Sequence, residues 1–502
     1  MEEAVNRFNL IDEPWIPVAN EGRVSLKRVF SDPELKALGG DAVQKIALMK
    51  LLQAICQAAA TPENNTQWQQ TGPDGLCKKV LAYLNRWRDS FWLYGNTPFL
   101  QMPEIKRAEL KPFGTVLPAV STGNTTVLTQ SQTEKPLSDA DKALLLIVQM
   151  SMALGGKKTD NRVVLSQGYT GKTNEKGKPA TGKAGSALGF MGMMHHFCLG
   201  ANLQQTCWLN LFTQQDIAAL TQYPAGLGVA PWEAMPEGEN CARAKALKQS
   251  LMGRLVPMGR FCLLTESGLH YSEGISHSGY KEGLYDPSLL VNKKGKELKV
   301  LWADPARRPW RELPSLLTVA LAQQSEWECE QLHFAISKAC REQLQFGVWS
   351  GGLRVSSNAG EQFLTGTDDV VESLLWIEPD LFGESWFNHF KGEMLALDGL
   401  AKRLFGCVSG WYREMKVDAK SIAPQATELF WQRCEQQAQA LLDGCMDADQ
   451  RQRLRHQFAA FLYQTFDHFC PSQTARQLDA WAKTRPNLAD YLKNASLAKE
   501  SI

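Results

Sequence analysis

No stretch of about 18 uncharged apolar residues occurs in this 502-residue chain, so no membrane-spanning helix is expected. The chain opens on acids, which does not suit a secretory leader, and a cytoplasmic location is the expectation. Twelve cysteines are scattered from Cys56 to Cys470 without a Cys-x-x-Cys pair, so neither a disulfide framework nor a thiolate zinc site is suggested. Reduced, mostly buried thiols are expected instead. An excess of one charge is missing too: Lys and Arg number 54 against 53 Asp and Glu, a net charge of +1. That excludes a protein coating nucleic acid through bulk positive charge, and any such contact must be local. No Walker-type phosphate loop, nucleophile-elbow serine, His-Glu-x-x-His pair or calcium loop occurs. Catalysis lacks its usual signatures, so no enzyme and no cofactor are expected.

What is present is a globular composition, with 44% apolar residues, 15 Trp and 21 Phe. A chain this long exceeds the size at which one core stops growing, so two or three domains are expected. The opening Phe8-Asn9-Leu10-Ile11-Asp12-Glu13-Pro14-Trp15-Ile16-Pro17-Val18 is apolar and broken by two prolines, which reads as an edge strand. After Asp41, the residues Val43, Ile46, Ala47, Leu51, Ala54, Ile55 and Ala58 recur at three and four, the pattern of a buried helix with an acidic cap. Further helices are predicted over 74–91, 139–154 and 313–341. A small antiparallel meander is predicted over 251–312.

Beyond residue 372 the period becomes decisive. Phe387, Phe390, Met394, Leu397, Ala401, Leu404, Val408 and Trp411 fall alternately three and four apart, a bundle stripe. Three more segments follow over 423–442, 447–469 and 472–492, with Leu454, Phe458, Phe461, Thr465 and Phe469 on one face of the middle one. Gly444 and Pro471 stand between them as stops. The expected class is α+β: a large mixed α/β domain over 1–370 with nucleic-acid-contacting loops, then a four-helix bundle over 371–502.

Two loops attract a functional reading. Residues 155–185 carry Lys157, Lys158, Arg162, Lys172, Lys176, Lys178 and Lys183 against Asp160 and Glu175, with glycines interleaved. Such a mobile basic loop can follow a polyanion while bare backbone approaches phosphates, or it can be a solvated surface loop. Residues 349–362 combine Gly351 and Gly352 with Arg354, Ser356, Ser357, Asn358 and Gln362. These are compact donors suited to a groove edge, or a tight turn between two strands. Two weaker sites remain. His195, His196 and Cys198 lack a second ligand pair and read as structural, one histidine packed and one exposed. Asp368, Asp369 and Glu372 would serve a metal-dependent nuclease if they were not helix-capping acids.

The run from Leu10 to Val18 resembles the N-terminal signature of CasA-type large subunits of the type I-E CRISPR surveillance complex, Cascade. Supporting similarity comes from Asn96-Thr97-Pro98-Phe99-Leu100-Gln101, Ser121-Thr122-Gly123-Asn124-Thr125-Thr126, residues 351–362, and Thr427-Glu428-Leu429-Phe430-Trp431. The resemblance spans nearly the whole chain. It implies a non-catalytic, antiviral subunit that reads the protospacer-adjacent motif of target double-stranded DNA from the minor groove and opens the adjacent duplex into an R-loop. Its implied partners are the backbone, handle-binding and small subunits, the CRISPR RNA and a helicase-nuclease, with no membrane. The implied glycine loop is Leu154-Gly155-Gly156-Lys157. The implied wedge lies between Arg354 and Gln362, with Asn358 standing where a glutamine is familiar. The reading lysine of the family's hairpin is represented only by Lys281. Anchoring near the RNA handle falls on Asn124 through Gln130, including Thr129, with Leu128 where an aromatic residue can occur. A purely structural scaffold subunit is the other alternative to motif reading.

Overall fold

The computed structural model describes residues 6–116, 136–155, 160–172, 176, 192–318, 326–358, 361–363 and 370–497. They fall into two compact units. The first takes the described parts of Met1–Pro305, Glu326–Glu342 and Trp349–Glu372; the second takes those of Ala306–Ser325, Gln343–Val348 and Ser373–Ile502.

The first unit is organised on the helix Ala42–Ala60. A reciprocal capping box starts it: the Asp41 carboxylate accepts the Gln44 N–H at 2.9 Å, and the Gln44 side chain accepts the Asp41 N–H at 3.2 Å. Helices Asn65–Arg86, Asp139–Met152, Leu203–Leu209 and Met252–Leu255 pack around it, so it is buried on nearly every side. Lys50, Gln53 and Gln57 form a buried polar stripe, and each donates to a buried acceptor. Lys50 donates to Asp286 at 2.5 Å, Gln53 to the Asn210 carbonyl and to Gln331, both at 2.9 Å, and Gln57 exchanges hydrogen bonds with the Phe212 backbone. An unpaired polar group there would cost about 1–3 kcal/mol, so these ties also hold the helix in one register.

The helix predicted over 74–91 starts where expected and ends at Arg86: within Asn65–Arg86, Gly72 is non-helical at φ 60° and ψ 175° and parts two helices, with Pro73 in the first turn of the second. The predicted edge strand is two short ones. Arg7–Asn9 pairs with Trp92–Tyr94, and Ile16–Val18 pairs with Gly22–Val24. Between them Trp15 is fully buried, its indole N–H donating to the Leu10 carbonyl at 2.9 Å.

The predicted meander divides between two three-stranded sheets, each borrowing a strand from elsewhere in the chain. In one, Arg260–Leu264 and Leu269–Glu273 form a hairpin flanked by Leu110–Lys111. In the other, Val291–Asn292 lies between Lys299–Val300 and Trp327–Glu328. That last strand interrupts the helix predicted over 313–341, leaving Leu313–Thr318 and Glu330–Arg341.

In the second unit the stripe from Phe387 to Trp411 is buried along the helix Glu384–Glu414, with Trp386 stacked on Phe390 at 5.6 Å. This helix packs on Ile422–Glu435, Ala448–Phe469 and Ala475–Thr484. Leu454, Phe458 and Thr465 are buried on Ala448–Phe469 as expected, while Phe461 and Phe469 are half-buried and Leu462 and Phe466 complete the face. Two predicted segments are broken. Residues 423–442 divide into Ile422–Glu435 and Ala438–Gly444, and residues 472–492 into Ala475–Thr484 and Ala489–Leu497. The second break follows from Pro486, which pushes Arg485 out of helical geometry to ψ 129°. Arg311, far earlier in the chain, lies 3.8 Å over the Trp431 ring and 3.1 Å from Asp398.

Candidate nucleic-acid interface

The glycine stretch starts from a fixed point. Helix Asp139–Met152 ends as Ala153 turns extended, and the next carbonyl, that of Leu154, accepts a hydrogen bond from the Arg260 guanidinium at 3.2 Å. Arg260 is itself buried and also donates to the Gly259 carbonyl at 2.8 Å. Gly155 is therefore buried against the strand that carries Arg260. Gly156, Lys157 and Lys158 lie outside the described residues.

Residues 160–172 are packed, which corrects the expectation of a mobile loop for this part. Asp160 is buried, its N–H donating to the Tyr271 carbonyl at 3.0 Å and its carboxylate accepting from Arg162 and from the Glu109 N–H. The Arg162 guanidinium, largely solvent-exposed, holds Asp160 below the usual carboxylate range. Lys172 is the clear correction among the proposed phosphate contacts. It is fully buried, donating to Glu239 at 2.9 Å and to Ser272 and the Val163 carbonyl at 2.6 Å each. Burial pulls its ammonium below the ordinary lysine range, more than Glu239 restores. Burial likewise opposes ionisation of Glu239, yet Lys172 and backbone N–H groups hold its carboxyl below the usual range. Glu239 also accepts the N–H groups of Leu165 and Ser166, so one carboxylate closes the whole loop. Lys176 is exposed; Lys178 and Lys183, with the anchoring residues Asn124, Leu128, Thr129 and Gln130, lie outside the described residues.

The chain is described again from Gly192, where it meets the second nominated loop. Gly192 has φ +117°, and a Cβ there would stand 3.3 Å from Cε3 and Cζ3 of Trp302 and from Val355. Its carbonyl accepts the Ala303 N–H at 2.7 Å, and Met193 bridges to Trp302. Apart from Arg354 and Val355, the described residues of 349–362 are strands, as the turn-between-strands alternative expects. Gly351 and Gly352 belong to the strand Phe346–Leu353, central in a sheet with His195–Leu199 and Val370–Ile377, and Ser356–Asn358 pairs with Glu361–Phe363 as a hairpin. The two glycines serve packing: a Cβ on Gly352 would lie 2.8 Å from the Met193 carbonyl oxygen, and one on Gly351 2.6 Å from the Trp349 ring. Ser357 and Asn358 occupy the first hairpin strand and Gln362 the second, in register with Ser357. Arg354, just before the hairpin, is half-exposed and 3.6 Å from Asp304.

Other nominated residues take structural places. Lys281 is exposed on the single turn Tyr280–Glu282, past the hairpin Arg260–Glu273 that was expected to carry it. His195 and His196 are both fully buried, which corrects the expectation of one exposed histidine. Their Nδ1 atoms meet Ser288 at 2.8 Å and Ser350 at 2.7 Å, and burial lowers their pKa values to about 4 and about 3. Glu372 is engaged by Lys45 and by the Trp349 indole N–H at 2.8 Å; Asp368 and Asp369 lie outside the described residues. Among the described residues no three His, Cys, Asp or Glu side chains gather as metal ligands, and no helix is long and apolar enough to cross a membrane. Sequence reasoning missed Glu239, Arg260, Gly192, Trp302 and Asp304. Arg260 and Trp302 carried a signal, each as one end of a β-like run in the predicted meander.

These features define an α+β protein with a helical C-terminal region. The model of the CRISPR-associated protein Cse1 family matches residues 9–468. A CRISPR-associated protein CasA/Cse1 of Thermus thermophilus is 29% identical over 342 residues, which span 62% of this chain and 61% of that relative. Among solved structures, Thermobifida fusca Cse1 superposes with a TM-score of 0.73 at 18% identity, covering 98% of this chain and 96% of that one. Thermus thermophilus CasA gives 0.71 at 18% identity, over 97% and 100%. A chain of a CRISPR RNA-guided surveillance complex gives 0.65 at 13% identity, over 95% and 98%. The chain belongs to the CRISPR-associated Cse1 family, that of the CasA-type large subunits its motifs resemble.

Proposed function

We propose that the chain is the non-catalytic large subunit of a CRISPR RNA-guided surveillance complex. In that reading it recognises the motif beside the target in double-stranded DNA from the minor groove, promotes duplex opening and R-loop formation, and recruits the helicase-nuclease. Residues 1–370 carry the DNA-contacting loops, and the bundle over 371–502 docks partners. Anchoring near the CRISPR RNA handle falls to Asn124, Leu128, Thr129 and Gln130.

The observation that carries this reading is the contact between the base of the hairpin and Gly192, which follows the basic stretch of residues 155–185 in the chain. Gly192 lies against Trp302 and Val355, and Val355 leads directly into the hairpin that holds Ser357, Asn358 and Gln362. Phosphate contacts from the basic stretch and a groove-edge hairpin can then act on one duplex. Guide pairing supplies sequence readout, so the protein need only read a short element and bias melting. The engagement of Glu372 by Lys45 and Trp349 speaks against a metal-dependent nuclease.

The test is a reconstituted complex offered a duplex target with randomised flanking bases. Retention of a defined flanking motif, dependent on this subunit, supports the reading. Equal retention of all flanks, or equal binding without the subunit, favours a scaffold, and divalent-ion cleavage by the purified chain favours a nuclease.

A further inference from the structure

Trp302 stands out among the exposed apolar side chains of the first unit. It is 43% exposed, whereas the other large ones, Leu110 and Val229, are aliphatic. Isolated exposed apolar residues need no explanation, but three observations set this one apart. Its backbone is held on both sides, by Met194 N–H to the Leu301 carbonyl at 3.0 Å and Ala303 N–H to the Gly192 carbonyl at 2.7 Å. Its ring is approached closely by a glycine whose Cβ would be crowded at 3.3 Å, so the indole is pre-set rather than loosely displayed. And it shares its Gly192 contact with Val355, the residue after Arg354, whose guanidinium lies 3.6 Å from Asp304, two residues on from Trp302.

A rigid, partly exposed indole, with an arginine next in the chain to the valine that shares its glycine contact, has the chemistry of nucleobase stacking. Every base has a π-face, so stacking tolerates any sequence, and an adjoining arginine can take the phosphate that follows. The geometry points to Trp302 as a seat for one unpaired nucleobase of an opened duplex, with Arg354 exchanging Asp304 for the adjoining phosphate. The ligand class is single-stranded nucleic acid, one nucleotide deep. The seat rests on the motif-reading function proposed above and adds a step to it: a hairpin that separates a base pair needs somewhere for a released base to go. A base stacked on Trp302 cannot re-pair, so opening is held against reclosure. Asp304 keeps Arg354 oriented until a phosphate competes for it.

The test uses the reconstituted complex and a target duplex bearing the motif it selects, with a fluorescent aminopurine at the first displaced position. Release from the duplex brightens the aminopurine, and stacking on Trp302 in the wild-type complex is expected to quench most of that rise. Trp302→Ala is expected to abolish the quench and slow opening about tenfold, with Trp302→Phe restoring most of both, while initial motif-dependent capture changes less than about twofold. Arg354→Gln is expected to lower the salt slope of the opened state by about one phosphate contact. Normal capture with identical quenching in wild type and Trp302→Ala overturns the seat and leaves the motif-reading function standing. A wild-type complex that captures no duplex overturns that function and the seat with it.

Discussion

Lys172 and Glu239 form an ion pair at 2.9 Å with both side chains fully buried, closing the loop of residues 160–172. The lysine lies amid a basic stretch, yet its charge is spent inward on Glu239, Ser272 and a carbonyl. Removing one partner leaves the other charged and unpaired, so Lys172→Met is expected to destabilise the chain by about 3–5 kcal/mol. Lys172→Met with Glu239→Leu should recover only part of that loss, because the Leu165 and Ser166 N–H groups then lose their acceptor. Urea-unfolding midpoints of the two variants test this, and equal midpoints for Lys172→Met and wild type would remove the pair's structural role.

The same burial separates Lys172 from its neighbours in DNA binding. Neutralising Lys157 and Lys158 is expected to weaken duplex binding across sequences and to flatten its salt dependence by about one unit per lost contact. A folded Lys172→Met with Glu239→Leu variant should keep the wild-type slope. Plots of affinity against salt concentration for each variant make the comparison.

Gly192 combines a positive φ with crowding by Trp302 and Val355. Gly192→Ala is expected to cost about 1–3 kcal/mol in strain and to displace the hairpin base. Motif-dependent duplex binding should fall with it, while assembly with the other subunits persists. Thermal melting and binding by the assembled variant are the two readouts, and wild-type behaviour in both would dissociate Gly192 from the site.

Asn358 stands on the first hairpin strand, opposite Glu361. Asn358→Ala is expected to abolish motif-dependent duplex binding without disturbing complex assembly. Retained motif selection by that variant would move the wedge elsewhere, with Gln362 the next position to replace.

Stability should fall as the pH drops below neutral. His195 and His196 stay neutral in the fold down to about 4 and about 3 because burial disfavours their charged forms, with Asp286 and Lys50 acting on His195 from nearby. In the unfolded chain they take up protons below about 6.5, so the unfolded state binds more protons and is favoured as pH falls from that value. Each histidine contributes up to about 1.4 kcal/mol per pH unit in that window. Unfolding midpoints measured between about pH 7.5 and about pH 5 should decline, and His196→Gln should shallow the decline. A flat profile would mean that the imidazoles charge within the fold.

Much of the architecture was legible in the sequence because it rests on periodicity. The stripe from Phe387 to Trp411 is buried residue for residue, and the Asp41 cap and the helix it starts stand where the pattern put them. Short-range signals misled where a distant segment intervened. The helix predicted over 313–341 is interrupted at Trp327–Glu328, which found a partner in Val291–Asn292. At the candidate site, the sequence by itself determined which stretches were basic, glycine-bearing and rich in compact donors. Only the tertiary structure decided that Lys172 faces Glu239, that Gly351 and Gly352 accommodate their own protein's backbone and side chains, and that Gly192 meets Trp302 and Val355. Burial and ion pairing arise between residues far apart in the chain, and no local pattern encodes which cation will find a carboxylate and which will remain in water.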